Sequence, residues 1–306
     1  MKSNFSHIGL AKLCGWFGIT RQAYYQENWK ETDQSVEDSI VLKEVLKIRK
    51  DHKRIGTRKL YEMLSPILIE HQIKIGRDKL FDILSVHHLL IRRRRRNVVT
   101  TWSKHWLRKY PNLIRDFVPT GPNQLWVSDI TYWKVNNHTL YISFITDAYS
   151  HKIVGYQLAE TLEAIESMKA LKMALQDMKG SFPNLIHHSD RGLQYCSYGY
   201  VGLLKKQDIQ ISMTESGDPL ENAVAERVNG IIKEEYLEPQ GIKSLKEALV
   251  YINKAIKLYN TQRPHMSIYN YTPENVHTGM QIPEKRLWKN YYPQKTTKEK
   301  EVLIDG

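Results

Sequence analysis

The chain has 306 residues, with 45 Lys plus Arg against 33 Asp plus Glu for a formal charge of +12, and only 2 cysteines. Cys14 and Cys196 are too far apart in sequence for a paired-cysteine zinc knuckle and too few for a disulfide framework, so both read as ordinary thiols. No run of about 18 apolar residues marks a membrane helix, and "MKSNFSHIGLAKLCG" lacks the basic, apolar, small order of a signal peptide, so a soluble, cytoplasmic protein is expected, with one large domain and smaller ones.

Charge is unevenly placed. Residues 40–116 hold 20 Lys plus Arg against 7 Asp plus Glu, a net of +13, which leaves −1 for the rest of the +12 chain. One segment is therefore expected to bind a polyanion, and nucleic acid fits that asymmetry best.

In chain order, "LAKLCGWFGITRQAYYQ" (10–26) predicts two short helices broken at Gly18, with Thr20 capping the second, a helix-turn-helix pattern. "SIVLKEVLKIRKDH" places Ile40, Leu42, Val45, Leu46 and Ile48 near helical spacing. "TRKLYEML" predicts a helix with Thr57 at its cap, and "GRDKLFDILSVHHLL" another. Lys53, Arg54, Arg58, Lys59, Arg77 and Lys79 sit at or near these helix starts, where side chains and free N–H groups meet phosphate together. The run Arg92, Arg93, Arg94, Arg95 and Arg96 adjoins them and is expected to bind phosphate as well. A connector with Pro111, Pro119 and Pro122 follows.

From Asn123 the period changes to that of strands. "QLWVSDITYWKV", "HTLYISFITDAYS" and "KIVGYQLAE" predict a three-strand meander, "TLEAIESMKALKMALQDMK" a long helix, "PNLIHHSD" a fourth strand, "YVGLLKKQ" a helix and "IQISMT" a fifth strand. The order β-β-β-α-β-α-β-α predicts an α/β fold, a mixed sheet with helices on both faces.

Asp129 interrupts the first strand, where a lone carboxylate is costly without compensation. Asp190 falls at the carboxyl end of the fourth strand, where open α/β sheets build their sites. In "PLENAVAERVNGIIKEEYL", Val224, Val228, Ile231 and Ile232 form a predicted buried stripe, and Asn222, Glu226, Asn229 and Lys233 share the opposite face. Glu226 can then join the two aspartates, with Glu221 as its rival in the first turn. Three such carboxylates need cations, and hard oxygen ligands suit Mg²⁺ or Mn²⁺. Two ions about 4 Å apart suit phosphodiester displacement.

Between Asp190 and Glu226 lie 35 residues. Together with "LWVSDITY", "HSDRGLQY", "ENAVAERVNGIIKEEY" and "YNTQRPHMSIYNYTPE", this spacing resembles the orfB-type product of the insertion sequence 3 family of transposases, within the D, D, E transposase and integrase superfamily. The resemblance runs from "LCGWFGITRQAYY" to about Val276 and covers most of the chain. It implies a ribonuclease H-like integrase core over 123–278, preceded by a helix-turn-helix-like segment (1–38), a basic helical DNA-binding domain (39–97) and a connector (98–122), and followed by a tail (279–306).

The resemblance further implies that Asp129, Asp190 and Glu226 are catalytic and hold two Mg²⁺, with Mn²⁺ able to substitute. The enzyme would nick one end of a mobile element, use the exposed 3′-hydroxyl to attack near the other end, form a circular intermediate and insert it into target DNA. Lys233 is placed by phosphate, Arg263 and His265 of "YNTQRPH" beside the substrate, and His187 and His188 in a structural role. Glu221 stands where the family has Asp before "NA", and Ser128 where it has Thr. The implied partners are double-stranded DNA of element ends and target, a second copy to make at least a dimer, and an upstream orfA-type product, all working at the bacterial nucleoid. A retroviral-type integrase would carry a His, His, Cys, Cys module, and Cys14 is the only cysteine ahead of the core. A non-catalytic DNA-binding regulator and a structure-specific nuclease are the alternatives.

Overall fold

The computed structural model describes residues 8–91, 105–135, 138–178, 184–215, 219–238, 241–242 and 244–284, apart from the side chains of 28–35, 219 and 220. They form two compact units, the first holding the described residues up to Ile91 except 52–55, the second the remainder. Among the described residues no helix is long and apolar enough to cross a membrane.

The first unit is all helical: α1 (Leu10–Trp16), α2 (Arg21–Asp51), α3 (Thr57–Glu70) and α4 (Arg77–Val86). Gly18 adopts φ +67°, a left-handed turn that glycine takes without steric cost, and the Thr20 hydroxyl accepts the Ala23 N–H at 3.0 Å, so the predicted break and cap both form. The second of the two predicted short helices, however, does not stop near residue 26. It continues through Asp51 as one helix, and the boundary expected at 38/39 lies inside it. Among the described side chains of α2 the buried ones are Val41 and Val45, one turn apart, while Leu46 is exposed. Helix α3 buries Leu60, Leu64 and Leu68 at four-residue spacing. Its cap is Gly56 rather than Thr57, which lies in the first turn.

The second unit is built on a five-stranded sheet in the order β3-β2-β1-β4-β5. The strands are β1 (Leu125–Val135), β2 (His138–Asp147), β3 (Ile153–Ala159), β4 (Ile186–Ser189) and β5 (Gln210–Met213). β1 pairs antiparallel with β2 and parallel with β4, which makes the sheet mixed, as predicted. Helices α5 (Ala164–Asp177), α6 (Leu193–Cys196), α7 (Tyr198–Lys206), α8 (Ala223–Ile231), α9 (Leu245–Thr261) and α10 (Pro273–His277) complete the unit, with a π-helical turn, Ile232–Leu237, continuing α8.

Period-two alternation sorts the side chains between two cores. Leu140, Ile142, Phe144 and Ile153 pack with Val228 of α8 and Ile252 of α9. Ile145 and Val154, their immediate neighbours, pack on the other face with Ala170 and Leu171 of α5 and Leu204 of α7. At Gly155 any Cβ would collide with the Ala170 carbonyl oxygen, so glycine sets how closely α5 lies on β3.

Candidate active site

The parallel register of β1 and β4 pairs Leu125 with Ile186 and Ser128 with Ser189. The residue that follows each serine is an aspartate, Asp129 within β1 and Asp190 directly after β4. Leu125, Val127, Trp133 and Val135 share the parity of Asp129, and they pack on the face that α8 covers, with Ala225 or Val228. Asp129 thus leans toward α8, where Asn229 Nδ2 donates to its Oδ2 at 2.8 Å. The Ile130 N–H donates to Asp129 Oδ1 at 2.9 Å, and the Gly192 N–H holds Asp190 Oδ1 at 3.0 Å.

Glu226 stands on the exposed side of α8, one turn before Asn229. Its charge reaches Asp129, whose carboxyl is pushed up to about 7. Burial is the largest cause and the charge of Asp190 the next; the Ile130 hydrogen bond opposes them, Glu226 adds to them, and the Asn229 bond opposes again. A divalent cation would relieve this crowding, and the donors, carboxylate oxygens, are those a hard cation takes. Yet no three His, Cys, Asp or Glu side chains among the described residues are gathered closely enough to hold a metal as a ready-made group. Asp129 and Asp190 offer oxygens of that kind, and the charge of Glu226 acts on Asp129 from the helix surface.

The floor beneath the pair is polar and neutral. Ser128 Oγ lies 2.7 Å from His187 Nε2, which also meets the Tyr200 hydroxyl at 3.0 Å. His188 Nδ1 meets Ser212 Oγ at 2.8 Å. Burial above all drives both rings down, His187 to about 3 and His188 to about 4, so at neutral pH they carry no charge against the aspartates. Glu221 is buried and accepts the Glu215 N–H at 2.8 Å, which ties it to the chain after β5. The polar face predicted for α8 is not its solvent face: Asn222 and Asn229 are buried, and Asn222 Nδ2 donates to the Ser128 carbonyl at 3.0 Å. Both asparagines fasten the helix to β1, a role their position beside Glu226 hinted at without revealing.

Residues 119–219 match the integrase core domain family, and 207–273 match a second integrase core domain family. The uncharacterized 31 kDa protein of insertion element IS600 from Shigella sonnei is 36% identical over 265 residues, which is 85% of this chain and 96% of that protein. The chain belongs to the insertion sequence 3 family of transposases. Within the family, the transposase for insertion sequence element IS629 from Shigella sonnei is 29% identical, over 83% of this chain and 86% of the relative. Among solved structures, the HTLV-2 integrase catalytic core domain in complex with magnesium aligns with TM-score 0.41 and 21% identity, over 51% of this chain and 97% of that one. The five-stranded mixed sheet of this transposase family member is the ribonuclease H-like integrase core.

Of the cations expected at DNA, Lys233 lies in the π-helical turn with Nζ 4.0 Å from the centre of the Tyr132 ring. It borders a cavity of about 360 Å³ shared with Trp133, Lys134 and Leu237. Its pKa is lowered, by burial first and by Lys134 as well, while Glu238 and Glu234 oppose the shift.

Arg263 and His265 are corrected by the structure. Arg263 is wholly buried, its Nε and Nη2 donating to Glu235 Oε2 and Oε1 at 2.8 and 2.7 Å, and Nη1 lies 3.0 Å from His265 Nε2. His265 stacks on His151 and meets the edge of Tyr259. Asn260, in the same "YNTQRPH" stretch, bonds both backbone groups of Ile153 on the edge strand β3, each at 3.0 Å. The stretch therefore fastens α9 to the sheet and to the turn behind α8, and it presents neither side chain to a substrate. Nothing local in the sequence pointed to Glu235 as the partner.

Arg58, Lys59, Arg77 and Lys79 belong to the helical unit, whereas Lys53 and Arg54 lie on the short segment that clusters with the catalytic unit. Arg77 Nε bonds Asp78 at 3.0 Å in an exposed pair, and Lys79 Nζ lies 3.7 Å from Asp38 in a half-buried one. Arg92, Arg93, Arg94, Arg95 and Arg96 lie outside the described residues.

Proposed function

We propose that this chain cuts and joins DNA strands at the ends of a mobile element, with Asp129, Asp190 and Glu226 as its catalytic carboxylates and two Mg²⁺, replaceable by Mn²⁺, as its cofactor. The observation that carries this reading is the pair of aspartates at equivalent positions beyond a parallel register, with the charge of Asp190 raising the cost of ionising Asp129 and Glu226 adding to it. When bound, such ions supply positive charge to the attacking and leaving oxygens of an in-line phosphodiester displacement. The chain's own residues supply position. The Ile130 N–H and Asn229 fix the two oxygens of Asp129, Gly192 fixes Asp190, and the neutral histidine floor adds no cation to compete for them.

Lys233, seven residues beyond Glu226 on the continuing helix, offers a cation to the backbone of the strand being processed. Arg58, Lys59, Arg77 and the arginine run 92–96 hold the flanking duplex through its phosphates, which positions DNA without reading its sequence. Nicking of one end, attack of its 3′-hydroxyl near the other, circularisation and insertion form the reaction course. Two ends must be held together, so the working form is at least a dimer, joined by an orfA-type product and acting at the nucleoid. Glu226 is preferred to Glu221 as third carboxylate because Glu221 is buried in a backbone contact.

The test is strand transfer on labelled duplex carrying the element's terminal repeats, in Mg²⁺, comparing wild type with Glu226→Gln. Joining by wild type and its loss in the variant supports the assignment. Joining by both would move the third ligand elsewhere, and binding without any cleavage, even with the upstream product fused, would favour a DNA-binding regulator.

A further inference from the structure

We infer that Trp106 and Tyr198 form a stacking platform for unpaired bases of a DNA end beside Asp190, an inference that rests on the DNA-processing reading. Trp106 is 80% exposed and Tyr198 76%, although burying either ring would be strongly favourable. Their ring centres stand 6.3 Å apart at 54°, tilted rather than stacked, so each keeps a face for another planar group.

Neither ring is exposed for want of an anchor. His105 Nε2 meets the Arg191 carbonyl at 2.7 Å, and Leu107 and Tyr110 pack against the core that holds α5 and α7. Further along, the Leu113 N–H donates to Ser212 Oγ at 2.9 Å. Tyr198 opens α7, whose cap Ser197 accepts the Tyr200 N–H at 3.3 Å. Trp106 is thus held out between two fixed points.

The surroundings favour a polyanion. Arg108 and Lys109 follow Trp106 and are exposed. The positive charges of Lys109 and Arg191 both reach Cys196, two residues from Tyr198. Arg191 Nε is buried with no hydrogen-bond partner among the described residues, a donor awaiting an acceptor. Aromatic faces set among cations are the features that hold single-stranded nucleic acid, bases on rings and phosphates on cations. Arg191 follows Asp190 directly and its carbonyl holds His105, so the platform lies along the loop that carries a catalytic carboxylate. A strand drawn out of its duplex toward that carboxylate loses base stacking, and the two rings replace what it loses.

The experiment uses the full chain in EDTA, which permits binding without cleavage, and two labelled duplexes, one blunt and one ending in three unpaired bases that include 2-aminopurine. The expected result is binding of the unpaired end about tenfold more tightly than the blunt one, with quenched 2-aminopurine fluorescence. Trp106→Ala/Tyr198→Ala should abolish that preference and the quenching, leave blunt-duplex affinity unchanged, and Trp106→Phe/Tyr198→Phe should restore most of both. Preference and quenching that survive in the alanine variant overturn the platform. A variant that alters only self-association by sedimentation would make the surface a contact between copies, which also overturns it. Failure of the wild type to bind either duplex would sink the DNA-processing reading and the platform with it, whereas binding of both with equal affinity would sink the platform alone.

Discussion

Replacing Glu235 with glutamine should destabilise the protein more than replacing its partner Arg263 with methionine. The Arg263 side chain is 0% exposed and that of Glu235 16% exposed, so the two members of the pair have unequal recourse to water. Glu235→Gln leaves a guanidinium enclosed by Tyr259, Tyr236 and His265 with no counter-charge, and removal of one partner from a buried pair costs about 3–5 kcal/mol. The partial exposure of Glu235 places the loss near about 3 kcal/mol. In Arg263→Met the charge left over is that of Glu235, which is partly exposed and can turn toward solvent, and the loss should be about 1–2 kcal/mol. Arg263→Met/Glu235→Leu removes both charges and should lie within about 1 kcal/mol of wild type, a coupling of at least about 3 kcal/mol. Urea unfolding of the four proteins at pH 7.5 measures this cycle. Additive single losses below about 1 kcal/mol would refute the clamp. So would an Arg263→Met protein of unchanged stability that has lost affinity for DNA, the behaviour of an arginine at the substrate.

Two further predictions concern charge. The Asp129 carboxyl, raised from 3.8 to about 7 on folding, holds a proton in the folded state that the unfolded state has already released, so stability should fall as pH rises between those values. The shift corresponds to about 4 kcal/mol, which solvent screening of a partly exposed carboxyl reduces to about 2. In EDTA, Asp129→Asn should therefore gain about 2 kcal/mol on wild type between pH 4 and pH 8, and a difference independent of pH would remove the electrostatic account of the site. Replacing Arg92, Arg93, Arg94, Arg95 and Arg96 with alanine should weaken binding to all duplexes alike and lower the slope of log affinity against log salt by about 4–5; an unchanged slope would make the run a linker.

The strands and the two aspartates were legible because their signals are local. Alternation at Phe144 and Ile145 follows from side chains leaving a strand on opposite faces, and "LWVSDITYW" and "LIHHSD" each place an acid beside a short apolar run. The exposed position of Glu226 was legible through helical phase, which keeps it off the stripe of Val228, Ile231 and Ile232. Other features depended on partners distant in sequence. Arg263 in a Pro-containing loop has the composition of a solvent-facing or ligand-facing residue, and only its placement opposite Glu235 makes it a core residue. The polar face of α8 read as open because Asn222 and Asn229 are polar, although their amides are spent on β1. The continuity of α2 was hidden for another reason: a helix-turn-helix reading supplies its own stopping point, and no glycine or proline between Arg21 and Asp51 imposes one.

β1 lies in the middle of the sheet, with β2 on one side and β4 on the other. From Trp126 to Ser128, the stretch that leads into Asp129, β1 has a paired strand along both edges, so its amides there exchange with solvent only when the sheet itself opens, which is the slowest local event such a unit undergoes. Asp129 rides on that strand, and Glu226 rides on a helix held to it by two asparagine amides. The site thus joins an anvil to a jaw, and its timing belongs to the jaw. Sliding α8 along β1 would change the third carboxylate's reach and leave the aspartates where they stand.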